Sequence, residues 1–373
     1  MPKKPEKTKA PEKVMVDAET LKKIGQAIVQ QIKEGKVPSV SIPSRTSNNL
    51  VYDPANQYYV IGDQKISRSA GNIRHIKLLA QFLKVAWFCK DLVKEGNKHV
   101  TKRELYYISE SWGEEFKFDE QPECDNVVED IEAVIGRPRE DFNIIPDNRG
   151  SIYGDITIKY RSPSGKFNTI NCLDTPDGQS IGPRICEGEI EKVNADKVIA
   201  IETGGMYNRL MEEEAHKKFN AILVHTAGQA PRSTRRLIKR ISEENKIPVY
   251  IFCDSDPFGL HIAMVIIAGS AKSAHVNHKL ATPKAQWLGT TATDITKYKL
   301  RSDKLRPLDF KRLEELKKDP RYKDDPRMQK ELQTWVKLGK KAEQQALLRY
   351  GFRFVVDEYL PDKLRELKAP GFR

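Results

Sequence analysis

Two apolar runs that end on acidic residues constrain the fold of this chain most strongly. Residues 249–253 are apolar and lead into Asp254-Ser255-Asp256, and the run 197–201 leads in the same way into Glu202. Short apolar runs without polar alternation are typical of strands buried on both faces of a parallel sheet. The carboxyl ends of such strands lie at one edge of the sheet, where ligands bind. We therefore expect Glu202, Asp254 and Asp256 to lie together at one sheet edge.

The segment after about Arg161 alternates strands and helices. Strand cores are predicted at 197–201, 221–225, 249–253 and 286–289, and helices at 206–219, 234–244 and 257–268. This alternation indicates a mostly parallel, doubly wound, Rossmann-like sheet. The tail from 309 to 368 is predicted as helices broken at Pro320, Pro326 and Pro361.

The preceding part of the chain follows a helical pattern. Helices are expected at 20–35, 73–93, 101–111 and 125–135, with an extended or hairpin-forming segment at 37–66. Two β-type runs then follow, at 143–145 and 151–160. Three helices followed by a β-ribbon is the order of a winged helix-turn-helix (CAP-like) DNA-docking module. We therefore expect a multidomain protein of mixed α+β and α/β class. Its parts are an N-terminal segment at 1–69, a winged-helix domain at 70–158, and an α/β domain with helical additions at 159–373.

Composition narrows the class of partner. A net charge of +12 and a pI of about 9.2 favour a polyanion, with nucleic acid ahead of an anionic membrane. No apolar run reaches the roughly 20 residues of a spanning helix, and the Lys/Pro/Glu-rich residues 1–13 indicate a solvated basic arm rather than a signal peptide. The five cysteines form no Cys-x-x-Cys pair, which argues against structural zinc and disulfides. A phosphate-binding Gly-x-x-x-x-Gly-Lys-Ser/Thr loop is absent, so an ATP site within this chain has no support.

The three acids admit a structural and a functional interpretation. Asp256 followed by Pro257 is a common helix start, in which the carboxylate caps the helix. Asp254 ends an apolar strand and needs a partner or a metal, because a buried carboxylate is costly unless it is paired. Oxygen ligands favour Mg²⁺ over zinc or copper. We predict that Glu202, Asp254 and Asp256 bind Mg²⁺ next to a phosphate backbone.

A tyrosine pair lies on the predicted helix that begins near Thr101. Thr101 and Glu104 fit a capping box, and Tyr106 and Tyr107 flank an apolar face that includes Leu105. Tyrosine pairs are commonly core or interface residues, so this interpretation stays open. Arg103 can neighbour either phenol, and a guanidinium would favour the phenolate as a nucleophile towards phosphate. Spacing does not choose between Tyr106 and Tyr107.

A third candidate is the basic helix that follows the strand at 221–225. Arg232, Arg236 and Arg240 share one helical face. The structural interpretation is a solvated basic helix, and the functional one is contact with a phosphate backbone.

These motifs together resemble a known family. The segments 199–202 and 252–259 (Phe-Cys-Asp-Ser-Asp-Pro-Phe-Gly) resemble the split glutamate and Asp-x-Asp signature of a Toprim domain. The segment 101–107 (Thr-Lys-Arg-Glu-Leu-Tyr-Tyr) resembles the active-site helix of type IIB topoisomerase A subunits and their meiotic double-strand-break relatives. The resemblance runs from about Pro38 to Leu367 and includes 44–49 and 358–364. The chain is identified as a member of the archaeal-type topoisomerase VI A-subunit family.

The resemblance implies a role for each candidate residue. It makes Tyr107 the nucleophile, which forms a 5′-phosphotyrosyl bond and releases a 3′-hydroxyl, with Arg103 assisting. It makes Glu202, Asp254 and Asp256 the Mg²⁺ ligands. Ser255 departs from the alanine that is common in the family, and we expect this small change to be harmless.

The resemblance also implies partners. These are double-stranded DNA, an ATPase B subunit that binds the ATP, and a second copy of this chain within an A2B2 heterotetramer, in which the tyrosine of one protomer meets the acids of the other. The cytoplasm, in association with the nucleoid, is the expected location. The helix 21–32 is a candidate contact for the B subunit, and packing within its own domain is the alternative. A meiotic-type break-forming enzyme and a non-catalytic DNA-binding scaffold are the alternative functions.

Overall fold

The computed structural model describes residues 18–96, 98–146 and 148–368. The predicted basic arm at 1–13 lies outside the described residues. The chain divides into two compact units. The first comprises the described residues within Met1–Val51, Val60–Asp147 and Ala274–Val276, and the second those within Tyr52–Tyr59, Asn148–Ser273 and Asn277–Arg373. The predicted mixed, multidomain α+β class is confirmed.

The N-terminal part of the chain is mainly helical. Its elements are, in order, α1 (Ala18–Lys33), β1 (Ser39–Pro43), β2 (Leu50–Asp53), β3 (Tyr58–Ile61), β4 (Lys65–Ser69), α2 (Ile73–Glu95), α3 (Lys102–Ser109) and α4 (Gln121–Ile135). β1 pairs with β4 and β2 pairs with β3, as expected for the hairpin-forming segment.

Local sequence explains where these helices begin and end. The side chain of Asn72 caps the first turn of α2 by accepting from the Arg74 amide, and Gly96 closes the helix in the left-handed region at φ 70°. The core of this unit comes from the inward faces of α2 and α4, and its members include Phe82, Val85 and Val128. On α1, Leu21 and Ile28 are buried, whereas Ile32 is 58% exposed.

The elements of the remaining chain follow one another with short connections. The strands are β5 (Ser151–Tyr153), β6 (Ile156–Arg161), β7 (Phe167–Asn171), β8 (Gln179–Ser180), β9 (Glu189–Val193), β10 (Lys197–Ile201), β11 (Ala221–His225), β12 (Val249–Phe252), β13 (Gln286–Gly289), β14 (Asp303–Lys304) and β15 (Lys340–Lys341). The helices are α5 (Pro183–Glu187), α6 (Gly204–Glu212), α7 (Ala215–Lys218), α8 (Arg232–Asn245), α9 (Pro257–Ala268), α10 (Asn277–Leu280), α11 (Ala292–Lys297), α12 (Pro307–Lys318), α13 (Pro326–Leu338) and α14 (Leu360–Glu366), with a π-helical turn at Val355–Tyr359.

A six-stranded sheet forms the centre of the second unit, in the order β13-β12-β10-β11-β5-β8. β13, β12, β10 and β11 are parallel, β5 pairs antiparallel with β11, and β8 pairs antiparallel with β5 at the edge of the sheet. All residues of β10 and β12 are buried, as expected for strands covered on both faces. The predicted helix at 206–219 is divided into α6 and α7, because Glu214 adopts a left-handed conformation between them.

The β-ribbon that we expected directly after the three helices is not found there. β5 joins the six-stranded sheet beside β11, and β6 joins a separate sheet between β7 and β9. Gly154, at φ 141°, lies against the backbone of Ile222, so the predicted run 151–160 is broken into two strands that enter different sheets. The two-stranded β1–β4 sheet of the helical unit precedes the three helices instead of following them.

One helical stretch, Pro257–Leu280, is long and apolar enough to cross a membrane by length and composition alone. Core helices pass the same criterion, and 56% of the most apolar 18-residue window in the stretch is buried inside the protein. Within it, α9 packs Leu260, Ala263 and Ile266 into the core of the second unit.

Candidate active site

The parallel pairing of β10 and β12 brings the predicted acids to one sheet edge. Ile201 lies opposite Phe252 in the register of the two strands, and the Glu202 amide donates to the Phe252 carbonyl at 3.0 Å. Glu202 and Asp254 therefore leave adjacent strands at the same level. The Asp254 amide donates to Oε2 of Glu202 at 2.9 Å. A side chain from one strand is thus bound directly by the backbone of the other.

The two aspartates are oriented by backbone amides. Oδ1 of Asp254 accepts from the Gln344 amide at 2.9 Å. Oδ1 of Asp256 accepts from the Gly259 amide at 2.6 Å, which makes Asp256 the N-cap of α9 with Pro257 at the first position. The helix-start interpretation of Asp256 therefore describes what its Oδ1 does, while Oδ2 stays outside that cap.

Burial makes all three acids hard to ionise, and repulsion within the cluster adds to this effect for Glu202 and Asp254. Burial, together with the neighbouring Asp254 charge, raises the pKa of Glu202 to about 7. Burial also raises the pKa of Asp254 to about 6, although the hydrogen bond from the Gln344 amide opposes this shift. The pKa of Asp256 is raised by burial as well, against the opposing effect of the Gly259 amide. A cluster of this kind binds cations or protons readily, because either one relieves the repulsion.

A segment near the C-terminus orders the acid cluster, and our sequence reasoning missed it. We call residues 340–345 the strap. Ala342 pairs with Ser255 through two backbone hydrogen bonds, of 2.8 and 3.1 Å. The strap thus lies antiparallel to 254–256 and supplies the Gln344 amide to Asp254. We predicted only helices for this tail, and no sequence pattern in it indicated pairing with a segment about 90 residues earlier.

Ser255 faces the protein interior and helps to fix the turn between the two aspartates. It is fully buried, and its hydroxyl donates to the Thr291 carbonyl at 2.9 Å. Its own carbonyl accepts from the indole of Trp335 at 3.3 Å. The hydroxyl that distinguishes serine from alanine therefore has a buried partner, and the expectation that this change is harmless stays a prediction.

The three acids suit a divalent metal in the kind of atoms they offer. Carboxylate oxygens are the ligands that Mg²⁺ prefers, and burial without a nearby basic partner among the described residues raises the pKa values of Glu202 and Asp254. Across residues 18–96, 98–146 and 148–368, no three His, Cys, Asp or Glu side chains are grouped closely enough to coordinate one ion. The donor types fit Mg²⁺, and the three carboxylates would have to approach one another to coordinate one ion.

The tyrosine pair lies on α3, whose start is set locally. The Thr101 hydroxyl accepts from the Glu104 amide at 3.1 Å, and the Glu104 carboxylate accepts from the Thr101 amide at 2.6 Å, which completes the predicted capping box. Leu105 is fully buried and anchors the helix in the core of the first unit.

The two tyrosines have different surroundings. Tyr106 is half-buried, and its hydroxyl donates to the Asp119 carbonyl at 3.3 Å. Tyr107 is 54% exposed, and its ring meets the Tyr106 ring edge-on at 5.3 Å. The Arg103 guanidinium lies over the Tyr107 ring, 6.0 Å from its centre. The surroundings thus distinguish two residues that helical spacing left equivalent.

The three arginines of α8 are bound by the protein itself. Arg232 is only 8% exposed. Arg236 pairs with Glu187 through its Nε at 2.8 Å and its Nη2 at 3.1 Å. Arg240 donates to the carbonyls of Cys186 and Gly188, and it also pairs with Glu244. These contacts support a packing role for the face that α8 turns towards α5, and DNA binding by the three arginines stays a prediction.

The sequence matches two described protein families. Residues 197–364 match the Toprim domain of the topoisomerase 6 A-subunit and Spo11 family, and residues 77–144 match the family described as type IIB DNA topoisomerase. The chain is also similar to three archaeal proteins that are each named as the A subunit of type 2 DNA topoisomerase 6. The protein from Methanothermobacter thermautotrophicus is 46% identical over 349 residues, which cover 93% of this chain and 97% of that protein. Those from Methanosarcina mazei and Archaeoglobus fulgidus are 42% and 41% identical, over 94% and 92% of this chain and 95% of each relative.

Proposed function

Because the chain belongs to the family of topoisomerase 6 A subunits, the DNA-cleaving subunits of type IIB topoisomerases, we propose that Tyr107 is its nucleophile. The chain is part of an enzyme, and what remains to be assigned is the residue that attacks DNA. The observation that carries the assignment is the contrast between the two tyrosines. Tyr107 is exposed beside Arg103, whereas the Tyr106 hydroxyl is occupied by the Asp119 carbonyl.

The reaction is a transesterification in which no phosphodiester energy is lost. The Tyr107 hydroxyl gives up its proton, and its oxygen forms a bond to the phosphorus of the DNA backbone. The bond from that phosphorus to the 3′-oxygen breaks, and the 3′-oxygen takes a proton. The product is a 5′-phosphotyrosyl link with a free 3′-hydroxyl. Resealing reverses each step, so it needs no separate source of energy.

Arg103 and the acids contribute charge and proton transfer. The Arg103 guanidinium stabilises a phenolate on Tyr107 and the negative charge that develops on the phosphate. Glu202, Asp254 and Asp256 would hold Mg²⁺, which supplies positive charge to the phosphate when bound. Glu202, with a pKa of about 7, also lies in the range in which a carboxyl group can both donate and accept a proton near neutral pH.

The substrate and partners follow from the same assignment. One tyrosine cuts one strand, so a double-strand break requires two copies of this chain. We propose an A2B2 assembly in which an ATPase B subunit binds the ATP and the DNA is double-stranded. The net charge of +12 supports a DNA partner. A nucleoid-associated location in the cytoplasm and DNA docking by the helices within 70–158 belong to the same proposal, and the division at 1–69, 70–158 and 159–373 stays a prediction.

The test is denaturing capture of protein-linked DNA. The full chain is combined with its ATPase partner, Mg²⁺, ATP and supercoiled plasmid, and covalent adducts are isolated under denaturing conditions. We expect the wild type to form a 5′ adduct and Tyr107→Phe to form none, with duplex binding unchanged. Arg103→Ala is expected to slow attachment by about 100-fold, because a transition-state charge loses its partner.

Tyr106→Phe is the matched control, since it removes the same atom from the neighbouring residue. We expect it to keep the attachment activity of the wild type. If covalent attachment is lost in Tyr106→Phe and kept in Tyr107→Phe, the nucleophile is Tyr106 and not Tyr107. If the wild type forms no adduct although it binds DNA and its partner is active, the non-catalytic scaffold becomes the better description.

A further inference from the structure

Lys341 lies next to the acid cluster because of the strap's register. Ala342 pairs with Ser255 in antiparallel orientation, so the residue before Ala342 falls opposite the residue after Ser255. Lys341 consequently lies beside Asp256, with its Nζ 4.0 Å from Oδ2. This Oδ2 is the oxygen of Asp256 that does not cap α9.

Lys341 also contacts a second, more deeply buried carboxylate. Its Nζ lies 3.0 Å from Oδ2 of Asp309, whose side chain is 3% exposed. The same Asp309 oxygen accepts from the Arg306 amide at 2.8 Å, which fixes Asp309 at the start of α12. Within the part of the chain that the structure describes, Lys341 is the basic residue in an ion pair with one of the three acids. One ammonium group is thus shared between a fixed buried carboxylate and a candidate metal ligand.

We propose that Lys341 is a positioning residue that sets the affinity of Asp256 for the divalent cation, and that Asp309 controls how much of the lysine's charge reaches Asp256. This inference rests on the proposed metal role of the acids. In the metal-free chain the ammonium group offsets part of the charge on Asp256. An arriving cation must compete with it for Oδ2. Asp309 holds the lysine to one side and so weakens that competition.

The arrangement predicts that substitutions of the two partners of one ion pair change the affinity for the divalent cation in opposite directions. Lys341→Gln removes the competing cation and leaves the Asp309 charge uncompensated, so the metal should bind more tightly. Asp309→Asn frees the lysine to interact with Asp256 and removes a negative charge, so the metal should bind more weakly. The double variant removes a nearly neutral pair and should restore the wild-type affinity. General damage to the fold would weaken binding in all three.

The experiment measures Mn²⁺ binding to the full chain by the electron paramagnetic resonance signal of free Mn²⁺, without DNA or partner. Mn²⁺ is the probe because it shares the preference of Mg²⁺ for oxygen ligands. We expect the dissociation constant to fall about 5-fold in Lys341→Gln and to rise about 5-fold in Asp309→Asn, the size expected for charges several ångströms apart near a protein surface. The double variant and Lys341→Arg should stay within about 2-fold of the wild type.

Lys340→Gln is the control for charge in general, because Lys340 is the exposed neighbour of Lys341 in β15. It should change the dissociation constant by less than about 2-fold, as exposed charges are screened by salt. An unchanged constant in Lys341→Gln, or shifts in the same direction in both single variants, would overturn the inference. If the wild type itself binds no Mn²⁺ at the acid cluster, and Asp254→Asn makes no difference, the proposed metal role fails instead.

Discussion

The tyrosine helix and the acid cluster are built in opposite ways. Helix α3 is specified within about ten residues, from the capping box at Thr101 to Tyr107. The acid cluster takes Glu202 from one strand, Asp254 and Asp256 from another, and its support from a strap near the C-terminus. Tyr107 is exposed, whereas the acids are partly buried and have raised pKa values.

The two regions differ because a nucleophile and a cluster of like charges need different kinds of structural support. A nucleophile has to reach its substrate, and an exposed residue on a short capped helix meets that need with few tertiary contacts. Like charges held close together need a scaffold strong enough to oppose their repulsion. That scaffold here is a buried parallel sheet reinforced by the strap. A substitution that loosens the core of the second unit should therefore disturb the arrangement of the three acids and leave the tyrosine helix intact.

The largest expected effect comes from Trp335→Ala. Trp335 is fully buried, packs on Trp287 with ring centres 6.0 Å apart, and donates to the Ser255 carbonyl. Removing a buried tryptophan costs about 3–5 kcal/mol of unfolding free energy. We expect faster hydrogen exchange in residues 249–256 and weaker Mn²⁺ binding, with exchange in residues 102–109 unchanged.

Trp87→Ala is the matched control, because Trp87 is 59% exposed on α2. It should change the unfolding free energy by less than about 1 kcal/mol and should leave Mn²⁺ binding unaffected. If Trp335→Ala accelerated exchange equally in the tyrosine helix and in residues 249–256, the proposed independence of the two regions would be wrong.

A smaller effect is expected from Glu202→Gln in the metal-free chain, and it should depend on pH. The pKa of Glu202 is raised from its ordinary value of 4.5 to about 7, so the folded state holds this proton more tightly than the unfolded state. The bound proton on Glu202 therefore adds to the free energy of unfolding. This contribution is fully present below pH 4.5 and is lost as the pH rises through 7. Gln does not titrate. We therefore expect the free energy of unfolding of the variant, relative to that of the wild type, to rise by on the order of 2 kcal/mol between pH 5 and pH 8.

Urea unfolding in the presence of a chelator, at both pH values, measures this difference. Glu358→Gln serves as the control, because Glu358 is an exposed acid in the π-helical turn at Val355–Tyr359. This substitution should change the free energy of unfolding by similar amounts at pH 5 and pH 8. A stability gain for Glu202→Gln that is the same at both pH values, or larger at pH 5, would contradict the expected repulsion among the acids.

The smallest expected effect comes from Thr101→Ala. This change removes the hydroxyl that accepts from the Glu104 amide at the start of α3. Loss of a helix cap costs about 1 kcal/mol. We expect faster hydrogen exchange in residues 102–109 and unchanged Mn²⁺ affinity. Thr334→Ala, a substitution of a partly exposed threonine in α13, should leave exchange in residues 102–109 at the wild-type rate. Weaker Mn²⁺ binding in Thr101→Ala would show that the two regions are coupled.

Several features followed from the sequence because they depend on neighbours along the chain. The burial of 197–201 and 249–253, the capping box of α3 and the start of α9 at Pro257 are of this kind, and the structure confirms them. The alternation of strands and helices also placed Glu202 and Asp254 on adjacent parallel strands. The assignments of Tyr107, Arg103 and the three acids to catalysis and metal binding stay predictions until the experiments above are done.

Other features depended on contacts between distant segments. The expected β-ribbon failed because β5 and β6 found partners in two different sheets, and strand propensity does not specify a partner. The arginines of α8 share a face as predicted, yet that face meets Glu187 and the Cys186 carbonyl. Helical periodicity identifies a face, whereas only the packed structure shows what covers it.

The sequence alone determined which residues can carry the chemistry: acids at the ends of apolar strands, and a tyrosine pair beside an arginine on a capped helix. Tertiary structure decided which tyrosine is exposed, since Asp119 reaches Tyr106 through a loop. It also decided how the acids are held, because Gln344 and Lys341 approach them from a segment about 90 residues away. The reason is physical. Caps and strand ends are set by local hydrogen bonding and hydrophobic pattern, but burial and charge pairing arise only when distant segments pack together.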